Sequence, residues 1–302
     1  MAGSAAAGGY RAPRTAYGQP DLQGMWSNAW LTKLERPDRF KTLEASEAEA
    51  AAYERSPPPL VTDDVGGNES EVWEVGGKLA RIGGRPRTSI IVDPADGRLP
   101  YTAAGAKAAK AIVRRASTNL DGPEPRTTSE QCLVGNTTGP PMLTELYNNN
   151  IEIVQTRDRV VFLLEWNHDA RVVRLDDRRH VPPEIRPWMG DSIGWWEGET
   201  LVVETTNFNS GQRLRRAATD GYYVSPKARI VERLTRTSPT EILYQFSVED
   251  PDIYRQTWRG EQPFVATSAP TYEFACHEGN YSMSNILASA RAAERGAANA
   301  SK

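Results

Sequence analysis

The chain has 302 residues, 39% of them hydrophobic and 25% charged, an ordinary composition for a globular protein with a sizeable core. Its 36 Lys and Arg and 39 Asp and Glu give a net charge of −3, so the sequence offers no strongly basic surface for nucleic acid. No apolar run approaches the roughly 18–20 residues needed to cross a bilayer, so no membrane span is predicted.

The N-terminal segment changes character at its first tryptophans. Residues 1–20 resemble no folded element, and we expect them to be disordered. The next stretch, PDLQGMWSNAW from Pro20 to Trp30, places Trp26 and Trp30 beside a glycine turn. Two large apolar anchors predict that this stretch docks onto the body of the protein.

Three segments have the composition of helices. Residues 42–56 are rich in Ala and Glu and stop before a triple proline, with Thr42 or Ser46 as the candidate cap. Residues 103–116 favour a helix by propensity. Residues 282–296 predict a terminal helix that ends at the last glycine of the chain.

The second half of the chain reads as short strands. Between Ile151 and Phe274 the segments IEIVQT, RVVFLLEW, ARVVRL, TLVVETTNF, ARIVERLTR and EILYQFSVE follow one another, with turn signals between several of them. This spacing predicts a mainly β protein in which an antiparallel meander closes into a barrel. We expect a single domain over residues 21–296, made of a wrapping segment with helices (21–141), the barrel meander (142–281) and the terminal helix.

A polar block, EWNHDARVVRL, interrupts one of these apolar strands. In a regular strand, alternation places Glu165, Asp169 and Arg171 on one face and His168 on the other. A bulge at Asn167 would bring the histidine and the aspartate together, and bulges are frequent near active sites. The alternatives are a solvated outer face for the charged residues and a hydrogen-bonded core position for the histidine.

A second polar block, YEFACHEGNYSMSN, follows the last predicted strand and contains His277. A histidine beside an acid is the pairing that general acid–base catalysis uses, because the carboxylate fixes the tautomer. The other histidines are His168 and His180. The three could bind zinc or iron only if the fold gathers them, since their spacing matches no compact metal motif. No metal or cofactor is therefore predicted.

Two further stretches are candidates for the wall of a binding site. GPPMLTELYNNN leads into the first meander strand, and Tyr147, Asn148 and Asn150 are expected either to line the barrel mouth or to form a turn. The stretch from Arg186 to Phe208 is dense in tryptophan, which favours either core packing or a wall for a flat ligand. Its tryptophans are Trp188, Trp195 and Trp196.

The chain has two cysteines, Cys132 and Cys276. In an oxidising compartment they could form a bridge that closes a loop of roughly 140 residues. The alternative is two unrelated buried thiols.

Long blocks of the sequence resemble a large family of bacterial proteins that are predicted to be secreted and described as hypothetical. The resemblance covers roughly residues 20–291 and rests on these blocks: PDLQGMWSN, RTSIIVDPADGRLP, GPPM, YNNN, EWNHDARVVRLD, GDSIGWWEGETLVVETTNF and YEFACHEGNYSMSNIL. It implies a periplasmic or secreted protein, although MAGSAAAGGYRAP at the start is not a signal peptide, and a cytoplasmic protein is the alternative. The meander is also similar to lipocalin-like barrels, which hold one small ligand.

These patterns together predict a cofactor-independent lyase or isomerase, or else a hydrolase, acting on a small aromatic molecule in the barrel mouth. His168 would be the general acid or base, Asp169 would orient it, and His277 with Tyr147 would handle the second proton. Arg171 would hold an anionic group. The other expected substrate-binding residues are Asn148, Asn150, Glu165, Trp188, Trp195 and Trp196.

Two alternatives to this enzyme remain at the sequence level. One is a periplasmic small-molecule binding protein without turnover. The other is a metal-dependent enzyme with His168, His180 and His277 as ligands. The oligomeric state is open, with a homo-oligomer as one alternative. The leading hypothesis requires the rings of His168 and His277 to converge, beside a carboxylate, around a solvent-filled hollow.

Overall fold

The computed structural model describes residues 10–55, 77–135, 138–145, 147–211, 214–217 and 220–300. Within these residues the protein is mainly β, with a closed nine-strand barrel and three peripheral helices, which confirms the predicted fold class. None of the helices in this part of the chain is long and apolar enough to span a membrane.

Along the described chain, two helices lie between early strands and a third follows the last strand. The strands are β1 (Gly24–Ser27), β2 (Arg81–Ile82), β3 (Arg85–Pro86), β4 (Ile91–Asp93), β5 (Asn150–Gln155), β6 (Arg159–Leu164), β7 (Ala170–Arg174), β8 (Asp191–Glu197), β9 (Thr200–Thr206), β10 (Leu214–Ala217), β11 (Asp220–Tyr223), β12 (Arg229–Ser238), β13 (Glu241–Glu249) and β14 (Trp258–Ala266). The helices are α1 (Glu47–Arg55), α2 (Ala103–Thr118) and α3 (Tyr281–Ala300).

The barrel is closed by a strand from the N-terminal segment. Its order is β1-β5-β6-β7-β8-β9-β12-β13-β14, and β1 also pairs with β14, while β4 pairs with β14 alongside the barrel. The segment from Pro20 to Trp30 therefore does more than dock. Trp26 in β1 is 1% exposed, and its indole N–H donates to the carbonyl of Leu22 at 2.9 Å.

The sheet departs from the predicted antiparallel meander at one place. Strands β7 and β8 pair in parallel, with Val173 opposite Ser192. A parallel pair cannot be joined by a hairpin, so the chain between them crosses over outside the sheet through residues 175–190. We call this stretch the crossover segment. Strands β10 and β11 also leave the meander and form a separate two-stranded sheet.

The helices largely follow their composition, with corrections at two ends. Ser46, not Thr42, caps α1, because the Glu49 carboxylate accepts the Ser46 backbone N–H at 2.8 Å and the Ser46 hydroxyl accepts the Glu49 N–H at 3.3 Å. Helix α3 runs past Gly296 to Ala300. A single glycine costs about 1 kcal/mol in a helix, and the alanine-rich residues around it favour continuation.

The prediction of disorder is wrong for residues 10–20. The Thr15 N–H donates to the Gln19 carbonyl at 2.9 Å, which closes a turn. The Gln19 side chain then donates to the carbonyl of Arg157 at 2.9 Å, and Arg14 pairs with Glu199. These contacts fasten the segment to the barrel end opposite the one where β5 begins. Residues 1–9 lie outside the described residues.

Candidate functional site

The polar block EWNHDAR forms a turn rather than a continuous strand. Strand β6 ends at Leu164 and β7 begins at Ala170, with a single 3-10 turn at Trp166–His168 between them. Asn167 and His168 have φ of 61° and 51°, in the left-handed region that asparagine tolerates better than most residues. The backbone thus reverses at the position where a bulge was the predicted alternative. We call this end of the barrel, where β5 begins and β6 ends, the mouth.

His168 lies on the surface of the mouth. Its side chain is exposed, and its Nε2 accepts a long hydrogen bond of 3.4 Å from the backbone N–H of Phe274. The prediction of an inward or core position for this ring is wrong. Strand β6 ends at Leu164, so its alternation of inward and outward side chains does not extend to His168.

Asp169 braces a neighbouring loop instead of orienting His168. Its Oδ2 accepts the Gly135 N–H at 3.0 Å and the Thr138 hydroxyl at 2.9 Å, and its Oδ1 accepts the Asn167 amide at 3.4 Å. Among the described contacts, neither carboxylate oxygen is hydrogen-bonded to the His168 ring. Burial raises the pKa of Asp169, and the hydrogen bonds from Gly135 and Thr138 offset part of that rise.

Replacing Asp169 with asparagine should reveal this raised pKa as a pH dependence of stability. Near pH 3 the carboxyl is protonated in both states, whereas above its ordinary pKa of 3.8 the unfolded chain ionises more readily than the folded one. Folding stability of the natural chain should therefore fall, relative to Asp169→Asn, as pH rises from 3.8 through the raised pKa. Urea unfolding between pH 3 and 7 measures the free energy of unfolding of both proteins. The prediction is contradicted if the value for the natural chain minus that for Asp169→Asn stays constant or rises with pH.

Arg171 points into the barrel and is fully engaged there. It is 2% exposed, and its guanidinium donates to Glu232 at 2.9 Å through Nη1, to Thr205 at 3.0 Å and to Ser192 at 3.1 Å. The prediction that Arg171 holds an anionic ligand group is wrong, because the buried Glu232 carboxylate already binds its guanidinium. The turn after β6 explains the error: even-numbered residues face inward in β6, but odd-numbered residues such as Val173 do so in β7.

The same polar group extends around the barrel wall and fills its interior near the mouth. Tyr244 donates its hydroxyl to Glu232 at 2.6 Å and accepts the backbone N–H of Met142 at 2.9 Å, while Gln262 donates to the Met142 carbonyl at 2.7 Å. Burial, with the adjacent Glu232, raises the pKa of Tyr244 well above its ordinary value. We call this group the polar belt: Arg171, Ser192, Thr205, Glu232, Tyr244 and Gln262. Because the loop at Met142 sits on the belt, this part of the interior is packed.

A small cleft, partly open to solvent, lies at the mouth beside that loop. It has room for about one water-sized group, so it fits a compact end of a molecule rather than the whole of it. Apolar side chains form part of the wall. The polar and aromatic lining comes from Asn28, Thr138, Glu145, Asn148, Asn149, Asn150 and Trp166. We call it the mouth cleft.

Two of the lining amides have no hydrogen-bond partner in the described chain. Asn149 is occupied, since its amide accepts the Glu145 N–H at 2.7 Å and donates to the Glu145 carbonyl at 3.0 Å. Asn150 donates to the carbonyl of Pro270 at 3.5 Å. The Asn28 side chain, in a residue only 2% exposed, and the half-buried Asn148 side chain make no such bond. Both side chains border the cleft, so water or a ligand there can supply a hydrogen-bond partner.

Three stacked aromatic rings flank the mouth cleft. The Trp166 ring lies 4.7 Å from Tyr147 and 4.8 Å from Phe274, centroid to centroid. Burial raises the pKa of Tyr147, and the negative charge of Glu145 adds to that rise. A carboxylate and a phenol therefore lie within electrostatic reach of each other at this site.

Glu165 lies beside the cleft, but its oxygens are occupied. The residue is 1% exposed and accepts the backbone N–H of Asn150 at 3.2 Å and that of Tyr272 at 3.0 Å. It joins the start of β5 to the C-terminal segment and does not line the cleft, contrary to its predicted role as a substrate-binding residue.

The predicted tryptophan wall is not at the mouth. Strand β8 runs parallel to β7, so its second half leads away from the mouth and carries Trp195 and Trp196 to the far end. Trp195 donates to Glu197 at 2.9 Å, and Trp196 packs on the main core. Trp188 lies against the backbone of Gly211. These rings pack the fold and do not line the cleft.

The three histidines are not gathered. No group of three or more metal-binding side chains occurs among the described residues. His180 fastens the crossover segment, since its ring nitrogens lie 2.8 Å from Asp191 and 3.2 Å from Glu204. His277 is exposed, and neither it nor His168 lines the mouth cleft. The mouth cleft is therefore not the hollow that the hypothesis of two converging imidazoles requires.

Cys132 and Cys276 form a disulfide, with their Cα atoms 5.7 Å apart. The bridge joins the loop that precedes the cleft to the segment containing Phe274 and His277. Nearby, the Asn280 amide donates to the carbonyl of Glu130 at 2.9 Å. Both connections hold the C-terminal segment over the mouth.

Sequence reasoning missed the residues that make the cleft polar and aromatic. Glu145 and Trp166 stand inside blocks that the sequence analysis singled out, but neither was assigned a role. Asn28 lies more than a hundred residues away, and only the pairing of β1 with β5, which sets Ser27 opposite Asn150, brings it to the site.

A scan against protein-family models, a search of curated proteins and a search of solved structures each find no match. The resemblance to secreted bacterial proteins therefore remains a prediction from the sequence blocks.

Proposed function

We propose that this protein binds a small organic molecule by receiving one polar end of it in the mouth cleft. The observation that carries the proposal is Asn28, a residue only 2% exposed that lines the cleft and whose side-chain amide makes no hydrogen bond to another described residue. A ligand that supplies a partner for this amide gains a hydrogen bond at a largely buried residue.

The shape of the site favours recognition of an end group. The barrel interior below Met142 is occupied by the polar belt, so a ligand cannot be enclosed there as in an open-barrel carrier. Its body would rest near Tyr147, Trp166 and Phe274, where aromatic rings offer apolar contact. This arrangement keeps the predicted small aromatic ligand at the barrel mouth and changes the residues that would bind it.

An NMR screen of small organic fragments against the purified protein tests the proposal. Hits at the cleft should lose about tenfold in affinity in the Asn28→Leu variant, which keeps the volume but removes the amide. Asn119→Ala, away from the cleft, is the control and should leave affinities unchanged. A screen without hits, or hits that bind the Asn28→Leu variant as tightly as the natural chain, would refute the proposal.

A second candidate is an acid–base enzyme, a lyase or isomerase, working in the same cleft. It is favoured by the proximity of Glu145 and Tyr147, a carboxylate that could accept a proton and a phenol that stays protonated. These groups would replace His168, Asp169 and His277. The test is turnover of an identified substrate by the Glu145→Gln variant. Loss of turnover with binding retained supports the enzyme, whereas unchanged turnover excludes Glu145 as the general base.

We also propose that the protein works in the periplasm or outside the cell. The disulfide supports this location, because such bonds persist mainly in oxidising compartments. Mass spectrometry after thiol alkylation of the protein taken from its native host should find the two cysteines bridged. Two alkylated thiols would argue for the cytoplasm.

A further inference from the structure

We infer that the mouth cleft selects a positively charged end group, a protonated amine, and this inference rests on the proposed function. It follows from the charges that surround the cleft, from the acceptors that line it and from its size.

The mouth concentrates negative charge in a chain whose net charge is only −3. Glu145 lines the cleft, and Glu165 and Asp169 contact lining residues through the Asn150 N–H and the Thr138 hydroxyl. Within the described chain, the donors to Glu165 and Asp169 are backbone N–H groups, an amide and a hydroxyl, not cationic side chains. Their charges are therefore not neutralised by ion pairs.

Two arginines near the mouth in the described chain are already paired. Arg171 is held by Glu232 in the polar belt, and Arg126 pairs with Glu130 beside the disulfide. Two more carboxylates, Glu273 and Glu278, stand exposed on the segment over the mouth. The local field thus favours a cation, and partial burial strengthens it by lowering the effective dielectric constant.

The lining groups match an ammonium head. An ammonium has three N–H donors and no acceptor, and the cleft is lined by Asn28 and Asn148, whose amide oxygens can accept hydrogen bonds, and by the negatively charged Glu145. Amides can also donate hydrogen bonds, so a cleft lined by amides alone would bind an alcohol or a carboxylate as well. Trp166 adds a ring against which a cation is favourable. The surrounding carboxylates therefore decide the sign of the ligand.

Tyr147 reports the same field. The charge of Glu145 helps to raise its pKa by disfavouring a second negative charge, and the same potential attracts a positive one. The cleft has room for about one water-sized group, which suits a compact head group whose apolar body remains outside against the aromatic rings.

Three probes of one shape test the inference by isothermal titration at pH 7: benzylammonium, benzyl alcohol and benzoate. Benzylammonium should bind the natural chain at least about tenfold more tightly than either of the others. Glu145→Gln should reduce the preference for the amine over the alcohol to about twofold or less, whereas the matched control Glu278→Gln, exposed on the same mouth, should keep most of it.

A second variant keeps the test informative if Glu145→Gln fails to fold. Asn148→Asp adds a carboxylate at a half-buried position with φ of 58°, which aspartate tolerates, and should increase the preference for the amine. Equal binding of alcohol and amine, weakened alike by Asn28→Leu, overturns the charge selection and leaves the proposed function standing. Binding that Asn28→Leu does not change overturns both. If none of the three probes binds, the charge selection is overturned, and the fragment screen decides the proposed function.

Discussion

Replacing Glu232 with leucine should lower the free energy of unfolding at pH 7 by about 3–5 kcal/mol. Glu232 is fully buried and holds the 2% exposed Arg171 guanidinium through both carboxylate oxygens. Without it, the cation stays inside the barrel with only the Ser192 and Thr205 hydroxyls as partners, and Tyr244 loses its acceptor. Denaturant unfolding with linear extrapolation measures the loss.

The double variant Arg171→Met with Glu232→Leu should recover most of that stability. Removing both charges leaves no unpaired ion, and the methionine and leucine side chains replace much of the lost volume. The control is Glu197→Gln, whose pair with Arg233 is exposed and should contribute at most about 1 kcal/mol. A double variant as unstable as the single one would show that the polar belt is needed for more than charge compensation.

Replacing Cys132 and Cys276 with serine should remove up to about 5 kcal/mol, the chain-entropy value for a bridge between residues 144 apart. The effect should be largest at the mouth, because the bridge and Asn280 hold the C-terminal segment there. Hydrogen exchange should accelerate in residues 126–135 and 272–280, while β12 and β13 keep their protection.

Reduction of the natural chain provides the matched control for the serine variant. Added dithiothreitol should reproduce the loss of stability and the same local exchange, and it should leave the serine variant unchanged. If the variant keeps its full stability with an unaltered mouth, the disulfide does not position this segment.

The sequence was most informative where one face of a strand is apolar. Alternation located β6, β12 and β13 because their inward residues repeat every second position. It did not reveal β1, which has only four residues and no alternation, nor β14, whose run WRGEQPFVA mixes polar residues with a glycine and a proline. Their pairing partners are distant in the chain, so the closure of the barrel was not visible locally.

The candidate site was only partly predictable for the same reason. The block GPPMLTELYNNN was expected either to line the mouth or to form a turn. Asn148, Asn149 and Asn150 line the cleft, and Asn148 also has the positive φ of 58° that is typical of a turn. Arg171 was misplaced because a five-residue turn changes which residues of the following strand face inward. Alternation along the strand does not show how many residues such a turn contains. Asn28 depends on the register of β1 against β5, which is a long-range property.

The most direct measurement of the central claim is the position of a bound ligand in a protein labelled with ¹⁵N at asparagine and tryptophan. During titration with benzylammonium, the side-chain amide signals of Asn28 and Asn148 and the indole signal of Trp166 should shift together, while that of Trp195 stays in place. Binding that moves the Trp195 signal and leaves Asn28 and Asn148 unchanged would place the working surface elsewhere and contradict a functional mouth cleft.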